Sequence, residues 1–211
     1  MSAHDDVLQA AKDMLRLGLT AGTSGNVSAR LDDNRVVITP SSVSYETMTL
    51  EDLVVLDFDG NKVDGSREAS SERAVHLECY KEFDEIGSVI HTHPVYATMF
   101  AVAREPIPAA VDEFAIYVGG TVQVAEYAMS GTPDLGRNAV ACLRDVGSAL
   151  LASHGMVTIG KDPAKTLHQA GVVERSAQIV WGARALGAVH GVPDDVNTNF
   201  GGLYRYLRTN S

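Results

Sequence analysis

The chain has 211 residues, of which 45% are hydrophobic and 21% charged, and 17 Lys and Arg against 27 Asp and Glu give it a net charge of −10. Because domains usually hold about 100–200 residues, this length predicts a single domain spanning residues 1–211. An acidic chain without a block of Lys or Arg is poorly suited to a phosphate backbone, which argues against nucleic acid as a partner. No apolar run approaches the ~18 residues of a membrane span, and the acidic N-terminus lacks the features of a signal peptide, so we expect no membrane partner and a cytoplasmic location.

Hydrophobic spacing and turn residues predict a succession of short strands and helices. Gly18 closes a first helix, and another helix begins at Ser70-Ser71-Glu72 with a serine as its N-cap. Strands are predicted at residues 27–30, 35–39, 53–58, 62–64, 88–92, 149–153 and 156–159, and further helices at 95–103, 135–146 and 163–186. Residues 201–211 are interpreted as a C-terminal tail. Hairpins, rather than regular βαβ alternation, indicate an α/β fold with a mainly antiparallel central sheet flanked by helices.

The segment Ile90-His91-Thr92-His93-Pro94 carries a metal-binding pattern. Residues two apart on a strand project from the same face, so His91 and His93 can donate to one ion. A third histidine, His154, lies at the end of another predicted strand. Three neutral imidazoles suit Zn²⁺ and leave its fourth position open, which is typical of a catalytic site. The other histidines are interpreted as surface or capping imidazoles: His4, His76, His168 and His190.

A second group of residues is suited to an anion. Gly25 and Asn26 lie in a Gly-rich loop that can present backbone N–H groups without obstruction by a Cβ. Ser70 and Ser71 add hydroxyl donors at a helix N-terminus, where unpaired N–H groups and the helix dipole favour negative charge. Ser41, just past a strand end, closes the predicted pocket. The chain has neither a P-loop nor a dinucleotide fingerprint, which favours a phosphate ester smaller than a nucleotide.

Glu72 links these two groups, because it directly follows the serine donors on the first helical turn. One interpretation is a carboxylate that complements the helix dipole. The other is an acid/base group whose pKa is tuned by burial and by a neighbouring divalent cation. The residues alone leave both interpretations open.

Taken together, these motifs resemble the class II aldolase family of the L-fuculose-1-phosphate aldolase type, which also contains the ribulose-phosphate 4-epimerases. The resemblance covers nearly the whole chain, and its motifs occur in the family's order. They are Gly18-Leu19-Thr20, Gly22-Thr23-Ser24-Gly25-Asn26-Val27-Ser28, Ile38-Thr39-Pro40-Ser41, Ser70-Ser71-Glu72 with His76, His91-Thr92-His93-Pro94 and Ser153-His154-Gly155. The resemblance implies a three-layer α-β-α fold, assembled as a homotetramer with active sites between subunits.

The resemblance also implies a role for each motif. The metal ligands would be His91, His93 and His154, with Zn²⁺ as the ion and Mn²⁺ or Co²⁺ as alternatives. Glu72 would be the catalytic acid/base. The phosphate of the substrate would be bound by Gly25, Asn26, Ser41, Ser70 and Ser71. The implied reaction is cleavage of a phosphorylated ketose to dihydroxyacetone phosphate and an aldehyde, through an enediolate that the metal stabilises.

Departures from the family pattern leave other activities open. Aldolases of the family carry Glu at the position of Glu72, whereas its epimerases tend to carry Asp. The family often has glycine where Ser42 stands, and a tyrosine proton donor where this chain has a carboxyl-bearing loop. An epimerase, a decarboxylase or a dehydratase using the same metal site is therefore an alternative. The donor on the aldehyde side is left open among Asp112, Glu113, Tyr204 and Tyr206.

A third alternative belongs to another class of protein. The fold of the family also occurs in adducin, a cytoskeletal scaffold, so the chain could be a non-catalytic interaction domain. A scaffold has no need of three histidines together with Glu72, which argues against this alternative.

Overall fold

A computed structural model describes residues 2–210, which form seven α-helices and eight β-strands. The helices are α1 Ala3–Arg16, α2 Arg73–Glu82, α3 Val95–Ala103, α4 Asp112–Val118, α5 Pro133–Cys142, α6 Pro163–Leu186 and α7 Asp194–Asn210. The strands are β1 Asn26–Asp32, β2 Arg35–Ile38, β3 Val54–Asp57, β4 Lys62–Asp64, β5 Ser88–Thr92, β6 Val124–Ala125, β7 Ser148–Leu151 and β8 Gly155–Gly160. Within residues 2–210, no helix combines the length and the apolar character needed to cross a membrane.

All eight strands form one sheet in the order β4-β3-β2-β1-β5-β8-β7-β6. Six of the neighbouring pairs are antiparallel, and only β6 and β7 run parallel. The prediction of a mainly antiparallel central sheet is confirmed. Strand β5 lies between β1 and β8, and this register places His91 opposite Asn26 on one side and opposite Val157 on the other.

Helices cover both faces of the sheet, which gives three layers. Successive residues of a strand point to opposite faces, and along β5 Ile90 packs into one core while Val89 packs into the other. The core around Ile90 is shared with α1, α3, α4 and α6, and the core around Val89 with α2 and α5. By the same alternation His91 shares the face of Val89, so its ring points towards the side of the sheet that α2 covers.

The region 201–210 is the second half of helix α7 rather than the tail that the sequence predicts. Gly201 allows a close helix crossing, since a Cβ there would stand 2.7 Å from the carbonyl oxygen of Gly119. Tyr204 is 9% exposed and packs in the same crossing, and α7 begins with two acidic residues that suit a helix N-terminus. Tertiary packing on α4 therefore stabilises a helix that its glycines alone would disfavour.

Candidate metal centre and anion cavity

The structure brings together three histidines from two separate parts of the chain. The ring centroids of His91, His93 and His154 are 4.6–4.9 Å apart, and we call this group the histidine cluster. Glu72 joins it, because one ligand atom from each of the four residues lies within 4.8 Å of all the others. The four residues that the sequence predicts for a metal and its acid/base partner thus lie at one point of the fold.

Strand ends and a tight turn position the cluster. His91 lies within β5, and His93 follows it with its backbone N–H bonded to the carbonyl of Leu19 at 3.0 Å. His154 occupies the turn between β7 and β8. In that turn Ser153 adopts a left-handed conformation (φ 56°), and the guanidinium of Arg104 donates to its hydroxyl at 2.8 Å. The turn therefore holds His154 beside the end of β5.

The donor atoms of the cluster fit a cation. Nδ1–H of His91 donates to the carbonyl oxygen of Met156 at 2.9 Å, so in a neutral ring Nε2 presents its lone pair to the site. That Nε2 lies 2.8 Å from Nε2 of His93 and 3.1 Å from Oε2 of Glu72. Donor atoms this close repel one another unless positive charge, carried by a proton or a metal ion, lies among them. Three imidazoles and one carboxylate suit zinc and related divalent ions.

The Glu72 carboxylate is held by several donors at the centre of the site. Its Oε1 lies 3.0 Å from Nε2 of His154 and accepts a hydrogen bond of 2.6 Å from the hydroxyl of Ser130. Burial by itself raises the pKa of this carboxyl. When no cation is bound, protonated rings of His154 and His91 and the hydroxyl of Ser130 donate to the carboxylate, and these bonds, with the charge of the protonated His91, outweigh burial and hold the pKa well below its ordinary value. Glu72 is therefore ionised at neutral pH.

Glu72, rather than a serine, is the N-cap of helix α2, which corrects the prediction from sequence. Its side chain makes no capping hydrogen bond, because the carboxylate turns towards the histidine cluster instead. The hydroxyl of Ser70 accepts from the backbone N–H of Glu72 at 3.2 Å and takes over part of the capping. The cap geometry thus leaves both carboxylate oxygens to the site.

His93 is held neutral by its surroundings. Burial, together with the charges of His91 and His154, lowers the pKa of the His93 imidazole to about 4. At neutral pH the ring therefore carries no charge. This is the protonation state in which an imidazole nitrogen binds a metal ion.

A cavity of about 260 Å³ opens directly beside the cluster, and we call it the anion cavity. Glu72, His93 and His154 are among the residues that line it. The rest of its lining includes every residue that the sequence predicts for a phosphate: Gly25, Asn26, Ser41, Ser70 and Ser71. Among the described residues that line it there is no Lys or Arg, so hydroxyl and amide groups are the donors it offers an anion.

The loop around Gly25 requires a glycine. Gly25 has a φ of 74°, and a Cβ there would stand 2.8 Å from the carbonyl oxygen of His91. The loop packs directly on β5 as a result, and the hydroxyl of the buried Tyr45 donates to the carbonyl oxygen of Gly25. Across the cavity Ser42, which stands where the family often has glycine, adopts a φ of 59°. Its backbone conformation is thus one that glycine adopts at no steric cost.

Two residues of the site were not predicted from the sequence. His76, interpreted there as a surface or capping imidazole, is fully buried and hydrogen-bonded to Asn26 and Ser28, so that interpretation is wrong. Two signals in the sequence could have identified it: its position four residues after Glu72, on the same face of α2, and its place beside Ser70-Ser71-Glu72 in the family motif. Ser130 reaches Glu72 from a loop 58 residues further along the chain, and no local pattern marks it.

The four residues considered as donors on the aldehyde side lie elsewhere in the chain. Asp112 and Glu113 begin α4, and Glu113 forms an ion pair of 3.0 Å with Arg175 on α6. Tyr204 is a buried residue of α7, and burial raises the pKa of its hydroxyl. Tyr206 is exposed on the same helix. None of the four is among the residues that line the anion cavity of this chain.

Comparisons with known proteins agree with this geometry. A family model described as class II aldolase and adducin N-terminal domain matches residues 5–181, which include Glu72 and the histidine cluster. The L-ribulose-5-phosphate 4-epimerase UlaF of Salmonella paratyphi C (strain RKS4594) is 36% identical over 206 residues, covering 92% of this chain and 90% of that protein. A solved structure of an L-fuculose 1-phosphate aldolase matches with a TM-score of 0.91 and 33% identity over 96% of both chains. The L-fuculose-1-phosphate aldolase of Thermus thermophilus matches with a TM-score of 0.75 and 26% identity, over 90% of this chain and 98% of that one.

Proposed function

Because this chain belongs to the family of class II aldolase and adducin N-terminal domains, we propose that it is a divalent-metal-dependent enzyme acting on a phosphorylated ketose. One observation carries the proposal: Glu72 contacts the histidine cluster and lines the anion cavity at the same time. A scaffold of the adducin kind needs neither feature. The acidic composition and the metabolic enzymes among its relatives support a cytoplasmic location.

In this proposal the imidazoles of His91, His93 and His154 hold the metal ion. Zinc is the first candidate, because three nitrogen donors suit it, and Mn²⁺ or Co²⁺ would fit the same residues. When bound, a divalent cation supplies a Lewis acid for negative charge that develops on the oxygen atoms of the substrate. The Nδ1–H bond from His91 to the carbonyl of Met156 fixes the tautomer that leaves Nε2 free for the ion.

The anion cavity would bind the phosphate of the substrate. Its donors are the hydroxyls of Ser41, Ser70 and Ser71, the side-chain amide of Asn26 and the loop around Gly25. These groups are neutral, so the phosphate would be recognised by hydrogen bonds rather than by an ion pair. The volume of about 260 Å³ suits a phosphate on a short carbon chain better than a nucleotide.

Glu72 would move the proton of the reaction. Its carboxylate lies between the metal ligands and the cavity, and it is ionised at neutral pH, so it can act as a general base on a carbon atom next to the substrate carbonyl. Asn26 donates to its Oε2 at 3.3 Å and Ser130 donates to its Oε1 at 2.6 Å. These bonds orient the carboxylate before the substrate arrives.

Two outcomes of this chemistry are supported by different observations. Epimerisation, in which a cleaved aldehyde fragment is rejoined through its other face, is supported by the relative that is 36% identical. Release of the aldehyde is supported by Glu72, because the resemblance assigns Glu to aldolases and Asp to epimerases. Both outcomes share the carbon–carbon cleavage and use the same residues of this chain.

We also propose that the enzyme is a homotetramer whose subunits meet near the active site. Helix α3 leaves apolar side chains exposed at spacings of four and three residues: Val95 is 58% exposed, Met99 44% and Val102 61%. They adjoin His93 in a shallow apolar groove. An exposed apolar patch beside a functional residue is typical of a surface that another subunit covers.

The test is product analysis with two substrates, L-ribulose 5-phosphate and L-fuculose 1-phosphate, with and without a chelator. An isomer of unchanged mass identifies an epimerase. Release of dihydroxyacetone phosphate identifies an aldolase. Activity must disappear with the chelator and return with added zinc. Absence of turnover across a panel of phosphorylated ketoses in the zinc-loaded protein would overturn the proposal.

A further inference from the structure

We infer that His76 is a positioning residue that fixes the side-chain amide of Asn26 and, through it, the carboxylate of Glu72. The inference rests on the proposed function and extends it to a residue that is neither one of the proposed metal ligands nor part of the cavity lining. His76 is fully buried on α2, one helical turn after Glu72. Its two ring nitrogens contact two polar side chains of the neighbouring strand β1, Asn26 and Ser28.

The contacts form a chain of hydrogen bonds that begins in the core and ends at the active site. The hydroxyl of Tyr80 lies 2.8 Å from the hydroxyl of Ser28, which lies 2.7 Å from Nδ1 of His76. Nε2 of His76 contacts the amide oxygen of Asn26. The amide nitrogen of Asn26 then donates to Oε2 of Glu72 at 3.3 Å. Tyr80, Ser28, His76 and Asn26 are all buried, so water does not compete for these bonds.

The positions of the donors set the direction of the bonds around His76. The amide oxygen of Asn26 can only accept, so Nε2 of His76 must carry the proton. A fully buried ring between two neutral partners is uncharged, so Nδ1 then accepts from the Ser28 hydroxyl. With its oxygen held by His76, the Asn26 amide has one orientation, in which its NH₂ group faces Glu72 and the anion cavity.

Loss of the Nε2–H donor would release this orientation. The Asn26 amide could then rotate by 180° and direct its oxygen towards the Glu72 carboxylate, where two acceptors repel each other. The cavity would lose an N–H donor for the phosphate at the same time. The structure therefore predicts that a change at His76 weakens substrate binding, although His76 lies outside the cavity.

Two variants of His76 separate this role from simple packing. In His76→Gln the amide nitrogen reaches the position of Nε2 and can still donate to Asn26. In His76→Asn the shorter side chain reaches only the position of Nδ1 and retains the contact with Ser28 alone. Both variants remove a buried ring and should lose similar stability, so a kinetic difference between them reports on Asn26. Val75→Ala, a buried neighbour on the same helix outside the hydrogen-bond chain, controls for lost core packing.

The experiment measures kcat, KM and the affinity for inorganic phosphate of the zinc-loaded protein, with thermal unfolding in parallel. For His76→Asn we expect KM to rise and phosphate affinity to fall by about tenfold, the equivalent of one hydrogen bond, with a smaller change in kcat. His76→Gln should stay within about threefold of the wild type. Val75→Ala should unfold at a lower temperature with unchanged KM.

Equal KM and phosphate affinity in His76→Asn and the wild type would overturn the inference. Equal losses in both His76 variants would also overturn it, because they would indicate a role in packing alone. A wild-type protein that binds phosphate but turns over no ketose phosphate would contradict the proposed function instead. The phosphate measurement on the two variants would still decide the role of His76.

Discussion

Gly155 lies so close to Thr92 that a Cβ on the glycine would stand 2.5 Å from the carbonyl oxygen of the threonine. The same Cβ would stand 3.0 Å from Cδ2 of His93 and 3.4 Å from Cε1 of His91. The first residue of β8 therefore has no room for a side chain. This close approach is what lets the turn before β8 bring His154 against the two histidines of the β5 segment.

Gly155→Ala should both destabilise the fold and weaken the metal site. The added methyl group must displace the end of β5, and overpacking of this kind costs about 1–3 kcal/mol of unfolding free energy. Urea denaturation and zinc titration measure the two effects. Gly182→Ala is the matched control, because a Cβ at this position on α6 meets no atom within 4 Å. That change should raise helix stability by about 0.5–1 kcal/mol. Wild-type zinc affinity in Gly155→Ala would contradict the prediction.

His93→Ala should abolish metal binding. The change removes one of three nitrogen donors, and we expect zinc affinity to fall by more than about 100-fold, since altering even an outer partner of a ligand costs about 10–100-fold. Elemental analysis after gel filtration gives the zinc content per chain. His168→Ala removes an exposed histidine on α6, outside the cluster, and should retain the wild-type content. Equal zinc in the two variants would argue against the histidine cluster as the metal site.

Glu72→Gln should separate metal binding from catalysis. The three imidazoles remain, so the variant should retain zinc, but an amide cannot accept a proton as the carboxylate does. Turnover should fall by about 10²–10⁴, the contribution of a general base. Glu78→Gln, which neutralises a carboxylate further along α2, is the control for charge. Turnover of Glu72→Gln at the wild-type rate would exclude Glu72 as the acid/base.

Local patterns in the sequence predicted most of the fold. A run of β-branched, buried-looking residues identified β5, and Pro163 correctly marked the start of α6. The missed elements are short or depend on distant contacts: α4 has seven residues and β6 only two. Helix α7 is stable because Gly201 allows it to cross the backbone at Gly119, and no pattern local to residues 201–211 reports that crossing.

The candidate site was predictable to the extent that its residues occur in short motifs. His91 and His93 are two residues apart in one segment, and Glu72 directly follows two serines. The roles of His76 and Ser130 depend on partners 48–58 residues away, Ser28 and Glu72. Which histidine is buried depends on the pairing of the strands and on the face of the sheet that α2 covers. Neither can be predicted from short segments of the sequence.

Arg208→Ala should destabilise the C-terminal helix. The side chain of Arg208 is 8% exposed, and its Nε lies 2.8 Å from Oε1 of Glu85. Its guanidinium also donates to the carbonyl oxygen of Leu143 at 2.8 Å and lies 4.5 Å from the ring centroid of Phe83. Loss of a buried, charge-assisted network should cost about 2–3 kcal/mol, measured by urea denaturation. Arg205→Ala, an exposed arginine on the same helix, should change stability by less than about 0.5 kcal/mol, and equal losses would refute the assigned contacts.

The stability of the metal-free protein should fall as the pH decreases below about 6.5, and His76 should account for part of the loss. Burial, followed by the charge of His91, lowers the pKa of His76 to about 3, whereas Glu72 acts in the opposite direction. Its hydrogen-bond partners Asn26 and Ser28 carry no charge.

Between pH 3 and about 6.5 the unfolded chain binds a proton at this histidine that the folded chain does not bind. Each unit of decreasing pH in this window should therefore cost about 1.4 kcal/mol for this group. His76→Gln lacks the titrating ring and should not show this loss. The wild type should therefore lose its advantage in unfolding free energy over His76→Gln as the pH decreases. Urea denaturation of both proteins with a chelator, from about pH 7 to about pH 5, measures the difference. Parallel pH profiles of the two proteins would mean that the His76 ring titrates normally in the folded chain.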